Sequence, residues 1–253
     1  MQILLACAKT MGRVPAAVPE LTVPAFADEA AAAVRQLLAL GPDELARALH
    51  VSGRPAAEAA LRFRRFFAPD EAPVPAILAY TGIVFRYLRP ADFSADDFRY
   101  AQRHLFITSF LYGLLRPLDG IRPYRLEGNV RLPDEDEPSR FDYWKPRLTE
   151  RLIEAVQADD GVLVNLASAE MKRLFDWRRV CASVRVVTPE FRVMDGGRLR
   201  SVVVYAKMCR GAMARFILRN RLVNAAELSH FEPAPADAVG QLPIVVSGLP
   251  GAD

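Results

Sequence analysis

Residues that announce metal or disulfide chemistry are scarce in this chain. Of 253 residues three are cysteine (Cys7, Cys181, Cys209) and three histidine (His50, His104, His230). The odd cysteine count and the lack of a CxxC pair argue against a disulfide framework or a zinc site, so buried free thiols are the plainer reading. With no HxxxH or HExxH pair on a helix, neither a resident metal nor a cofactor is expected. A Walker loop, a GxGxxG turn after a strand and a GxSxG elbow are also missing, so no catalytic constellation stands out. Long apolar runs are absent. "ILLACA", "GVLVNLA" and "SVVVYA" have strand length, far below the roughly 20 residues a helix needs to cross a bilayer. The start lacks the basic and apolar stretches of a secretory signal, which places the expected location in the cytoplasm with no membrane partner.

What is present is a chain 51% hydrophobic, enough for a full core, with a net charge of only +3. Lysine occurs at four positions, so 29 of the 33 basic residues are arginine (33 − 4). A guanidinium fork pairs bidentately with phosphate or carboxylate and stacks on rings, although GC-rich coding explains part of the total. The reading is a single domain over residues 1–253 of mixed α and β structure (α+β), with a loose tail over about 232–253.

The elements follow from spacing. "QILLA" reads as a buried first strand with Lys9 and Thr10 at its carboxyl end. Ala27 to Leu40 repeats apolar residues at helical spacing, and Gly41 sits where a C-cap belongs. A short helix over Asp43 to His50, the turn "VSGRPA", and a further stripe of Ala56, Ala60, Phe63 and Phe67 have the shape of a helix-hairpin-helix over 43–67, whose turn amides can hold a phosphate. Arg54, Arg62, Arg64 and Arg65 lie at or past that turn; Glu58, four residues from both Arg54 and Arg62, can neutralise them instead. Ser94 caps a helix that carries Phe98, Ala101, Leu105 and Thr108. In "LYGLLRPLDGIRPYRLE" a core helix ends at Gly113, and turns at Arg-Pro and Asp-Gly aim Arg116, Tyr124 and Arg125 out of the core.

Further on, Phe141 to Val156 is helical, "GVLVN" is a buried strand, and Ser168 caps "SAEMKRLF". "DGG" turns a hairpin whose second arm is "SVVVYA". The last helix, from about Lys207 to Leu222, groups Cys209, Ala212, Met213, Phe216 and Ile217 on one face; Lys207, Arg210, Arg215, Arg219 and Arg221 spread over the other, with no acidic residue between. A short strand over Leu242 to Val246 closes the chain. If "QILLA", "GVLVN" and "SVVVYA" lie side by side, their carboxyl ends gather Lys9, Thr10, Asn165, Ser168, Lys207 and Arg210 in one polar cleft suited to an anion. Glu170 is the carboxylate placed there, with capping of its own helix as the plainer role.

The combination of "AKT", "LYGLLRPLDGIRPYRLE", the aromatic pair in "FDYWK", "NLASAE" and "YAKMCRGAMARFILRNRL" resembles the YaaA-type peroxide-stress protein family, in the same order, from residue 3 to about 231. The resemblance implies a family-specific fold with a central mixed sheet, flanking helices and a helix-hairpin-helix-like element. It implies DNA binding, and a role in limiting the damage that free iron does during peroxide stress. The family's signature residues fall on Lys9, Thr10, Gly82, Tyr112, Arg116, Tyr124, Arg125, Trp144, Asn165, Ser168, Glu170, Tyr205, Lys207, Arg210, Gly211, Arg215 and Arg221, among others. Departures occur at Ala6 and Cys7 (usually Ser-Pro), Phe85, Tyr87 and Ala169, and the tail after Phe231 lacks the usual closing strand ending in a basic residue.

Two functions are thus expected. One is weakly sequence-specific binding of double-stranded DNA by Arg54, Arg62, Arg65, Arg116, Tyr124, Arg125, Arg210, Arg215, Arg219 and Arg221. The other is an enzyme acting on a phosphorylated or nucleotide-like small molecule, with Lys9, Asn165, Ser168, Glu170 and Lys207 in its cleft. Direct iron sequestration fits poorly, since hard iron sites want clustered carboxylates and histidines.

Overall fold

A computed structural model describes residues 1–233 and 244–250 of the chain. The first half runs β1 (Gln2–Leu5), α1 (Ala27–Ala39), α2 (Pro42–Ala48), α3 (Arg54–Arg65), β2 (Val74–Pro75), α4 (Ala76–Ala79), α5 (Ile83–Leu88), α6 (Ala95–His104), β3 (Leu105–Ser109), β4 (Gly113–Leu115) and β5 (Gly120–Ile121). The second half adds α7 (Arg140–Gln157), β6 (Val162–Leu166), α8 (Ala169–Lys172), α9 (Trp177–Ser183), β7 (Arg185–Val187), β8 (Glu190–Asp195), β9 (Arg198–Arg200), α10 (Val203–Asn220) and β10 (Ile244–Ser247).

The central sheet has five strands in the order β4-β3-β1-β6-β7. β1 lies parallel to both β3 and β6, β7 is parallel to β6, and only β4 runs antiparallel. Every residue of β1 and β3 is buried. Uniformly apolar strands of this kind are what a sheet covered on both faces requires. A three-stranded antiparallel sheet, β10-β8-β9, stands apart from it. Its turn passes through Gly196 and Gly197, both at positive φ, as the "DGG" motif demands.

Several sequence expectations change here. "SVVVYA" is the start of α10 and not a strand: Val203 is 69% exposed, so its apolar run reflects no sheet face. Side chains of α10 are buried on more than one side, among them Tyr205, Met208, Cys209, Met213, Ala214 and Leu218, because the helix packs against α5, α6 and β8. Tertiary enclosure overrides the β preference of three successive valines. Leu105 and Thr108 belong to β3, since the α6 pattern stops at His104. No helix ends at Gly113, which instead opens β4 in the left-handed region (φ 69°). Gly41 is the N-cap of α2, not the C-cap of α1, and its amide is held by Glu44 Oε2 at 2.9 Å. The short strand expected over Leu242 to Val246 is present as β10, shifted to Ile244–Ser247 and paired antiparallel with β8. The looseness expected over 232–253 falls largely on residues outside the described ones.

The short helices α2 and α3 are joined by a turn through His50 and Gly53, both at positive φ (53° and 58°). This is the αα-hairpin expected over 43–67; the geometry alone does not make it a phosphate-binding helix-hairpin-helix.

Candidate functional site: a cationic cavity at the carboxyl edge of the sheet

The register places Leu5 opposite Ile107 of β3 and Leu166 of β6, so three parallel strands end together. The chain leaving each end turns into a common space, which is where open α/β sheets hold ligands. Ala6 to Thr10 follow β1, Phe110 follows β3, and Ser168 to Met171 follow β6; all but Ala169 line a cavity of about 360 Å³. Gly82 to Val84 and Arg86 around α5, Tyr124 to Glu127, and Lys207 and Arg210 of α10 complete the wall.

Two close approaches shape it. A Cβ on Gly82 would lie 2.7 Å from the Ala8 Cβ, so the glycine lets the segment after β1 lie against the start of α5. That segment is tied down by Thr81 N donating to Thr10 O (3.0 Å) and Gly12 N to Ala79 O (2.9 Å). Gly211 does the same for α10 against α5, and its neighbour Arg210 is thereby presented to the cavity.

The lining charges differ in their state. Lys9 Nζ pairs with Glu127 Oε2 at 2.9 Å, and Arg125 reaches the other oxygen at 3.4 Å. Arg125 Nε is buried with no acceptor among the described residues. Arg210 is half-buried and has no ion-pair or hydrogen-bond partner among them either, and burial lowers its guanidinium below the usual range with no carboxylate to offset it. Lys207 and Glu170, both exposed at the rim, are likewise unpaired among the described residues. Ser168 occupies the N-cap position of α8 without spending its hydroxyl on a cap bond.

Below the rim the site is apolar and neutral. Tyr124 is buried, with its hydroxyl 2.9 Å from that of Tyr80 and 2.7 Å from Ser109 Oγ. Burial pushes both phenols well above their ordinary range. Cys7 sits among them, its thiol pushed up to about 12 by burial first, and further by the carboxylates of Glu170 and Glu127.

Of the residues expected in the cleft, the structure brings Lys9, Tyr124, Arg125, Ser168, Glu170, Lys207 and Arg210 together. Asn165 is elsewhere: at 1% exposure its Nδ2 donates to Thr188 Oγ1 (3.2 Å) and its Oδ1 accepts from Ala167 N (3.2 Å), an internal brace at the end of β6. Arg116 is the clearest displacement. It lies at the amino edge of the sheet, donating to Gln2 Oε1 (2.9 Å) and to the carbonyls of Arg103 and Leu105, with its guanidinium 3.4 Å from the Phe106 ring centre. Because β4 runs antiparallel, Arg116 at its end is carried back to the start of β3.

The later arginines of the basic face of α10 are also spent. Arg215 donates to the carbonyls of Leu88 and Arg89 and faces Asp92, while Arg219 (2.6 Å) and Arg221 (3.0 Å) share Asp97. On the hairpin Arg54 pairs with Glu58 (2.7 Å), and Arg65 with Asp70 and Glu71. Arg62 holds the Tyr124 carbonyl at 3.1 Å and, with Arg65 and Arg122, borders a separate recess of about 250 Å³. Glu127, Arg86 and Cys7 were missed. Alternation in "RLE" could have shown Glu127, since residues two apart on an extended segment share a face with Arg125.

Comparison with known proteins adds the lineage. The family model described as peroxide stress protein YaaA matches residues 1–235. The chain belongs to the YaaA peroxide-stress family. Relatives include UPF0246 proteins of Bacteroides thetaiotaomicron (53% identical over 232 residues, 91% of this chain and 90% of that one) and Phocaeicola vulgatus (49% over 233 residues, 92% and 91%). A UPF0246 protein of Ralstonia nicotianae is 37% identical over 237 residues, 92% of this chain and 91% of its own. Ala6 and Cys7, two of the expected departures from the family pattern, line the cavity. No helix among the described residues is long and apolar enough to cross a membrane.

Proposed function

We propose that this peroxide-stress family member binds a small phosphorylated, nucleotide-like molecule in the cavity at the carboxyl ends of β1, β3 and β6. The observation that carries the reading is the state of Arg210: a half-buried guanidinium facing a cavity with no partner among the described residues, beside the equally unpaired Lys207. Arginines elsewhere, on the hairpin and along α10, mostly have protein partners. A buried cation left open costs free energy that a bound anion returns. A volume of about 360 Å³ suits a small molecule. Ser168 and Glu170, which line the same cavity, are the groups available for chemistry on that ligand.

A second reading, DNA binding through the hairpin and the cleft in the cytoplasm, is supported by the exposed side chain of Arg54 next to the positive-φ turn at Gly53 and that of Arg64 in the last turn of α3. Limiting of iron damage is indirect in either reading. The cavity offers cations and only two carboxylates, Glu127 and Glu170, one already held by Lys9 and Arg125.

The test sets two variants, Lys207→Ala and Arg210→Ala, against inorganic phosphate and a short DNA duplex in binding calorimetry, with native mass spectrometry of the wild type to reveal a retained ligand. Small-anion affinity is expected to fall about tenfold or more in Arg210→Ala, while duplex affinity stays within about twofold. Loss of duplex affinity alone, with a log-log salt slope near −0.9 per phosphate contacted, overturns the small-ligand reading in favour of DNA.

A further inference from the structure

Charged groups of both signs line the cavity. On the α10 side stand Lys207 and Arg210, without carboxylate partners among the described residues. Two carboxylates, Glu127 and Glu170, line the cavity as well. Glu127 is spent on Lys9 and Arg125. Glu170 is not: it has no partner among the described residues. The lining also includes Phe110, Met171, Ile83 and Val84, apolar side chains against which a flat ring can pack.

An anion alone would leave Glu170 without use. A ligand that uses both kinds of charge carries a phosphate and, on another part of the molecule, N–H donors. A carboxylate accepts two parallel N–H bonds best when the donors are neighbours in one plane. Among the common bases, guanine presents such a pair on its Watson–Crick edge, at N1 and N2. Resting on the reading above, that the cavity takes a small phosphorylated ligand, we propose that this ligand is a nucleoside monophosphate with a guanine-like edge: phosphate on Lys207 and Arg210, paired N–H donors on Glu170. Glu170 would then be the specificity residue of the site, not only an N-terminal residue of α8.

Calorimetry on the full chain with guanosine and inosine monophosphates tests this, because the two differ only in the 2-amino group that supplies the second donor. Wild type is expected to bind the guanosine form about tenfold more tightly, the usual worth of one hydrogen bond to a charged group at a partly exposed site. In Glu170→Gln the preference is expected to shrink to within about twofold, with the affinity for inorganic phosphate unchanged, which also shows that the variant is folded. Equal affinity of the wild type for the two nucleotides, or a preference that survives in Glu170→Gln, overturns the assignment while leaving the phosphate site standing. If inorganic phosphate and both nucleotides all fail to bind wild type, the small-ligand reading itself falls, and this one with it.

Discussion

Gly211 of α10 lies against the main chain of Val84 in α5, so closely that a Cβ on the glycine would sit 2.0 Å from the Val84 carbonyl oxygen. A backbone oxygen cannot rotate away as a side chain can. Alanine in mid-helix is ordinarily favoured over glycine by up to about 1 kcal/mol. Here the sign is expected to reverse: Gly211→Ala should destabilise the chain by about 2 kcal/mol or more as the helices are forced apart. Urea unfolding checks it, and a gain in stability would show that the helices do not touch at this point.

Tyr124 anchors the cavity wall through a directed set of hydrogen bonds. Ser109 Oγ accepts from Leu111 N (3.2 Å) and Tyr112 N (2.9 Å), which leaves its own proton for the Tyr124 oxygen at 2.7 Å. Tyr124→Phe would strand both that proton and the Tyr80 hydroxyl in the interior. A loss of about 1–3 kcal/mol in chemical denaturation is expected. The double change Tyr124→Phe with Ser109→Ala should cost clearly less than the sum of the singles, because the second removes a group the first has orphaned.

Thiol chemistry should be confined to one cysteine. Cys181 is exposed, whereas burial pushes Cys7 to about 12 and Cys209 to about 11. The thiolate is the form that reacts with disulfide reagents and peroxide. Ellman's reagent at pH 8 is expected to label a single thiol rapidly, and Cys181→Ser should remove that phase. Rapid sulfenylation of Cys7 by hydrogen peroxide would contradict its placement.

Acid sensitivity should trace in part to Asp97. Burial alone raises its carboxyl, but hydrogen bonds from Ser94 N and Oγ (2.9 Å each) and the charges of Arg219 and Arg221 outweigh it, so the folded value lies below the ordinary one. A depressed folded value means stabilisation that is complete above the unfolded carboxyl range, near about 4, and is lost as the pH falls through the folded value. Asp97→Asn is expected to cost about 2–3 kcal/mol at neutral pH. It should also flatten the decline in melting temperature below about pH 5. An unchanged acid slope would place the sensitivity elsewhere.

Much of this molecule could be read one-dimensionally. β1 and β6 are buried runs bounded by polar residues, and they do lie side by side. Ser94 does cap its helix, with Asp97 completing the box. The "DGG" hairpin forms because two successive positive-φ residues suit glycine. These features depend on near neighbours in the chain, where side-chain period and backbone preference are decisive. "SVVVYA" failed for the opposite reason: its valines begin a helix enclosed by α5, α6 and β8, and no local pattern records a partner more than a hundred residues away.

Charge shows the same division at the site. Composition and spacing alone determined that arginines gather near strand ends and along the last helix, and that metal-binding spacing is missing. Which of those cations remain open was decided only by the fold. Asp97, from a helix 122 residues upstream, claims Arg219, while the antiparallel turn of β4 carries Arg116 to the far edge of the sheet. Arg210 is left facing the cavity because Gly211 beside it brings α10 against α5. A guanidinium's residue type sets its charge, but whether that charge is spent depends on which carboxylate the tertiary structure puts within about 4 Å.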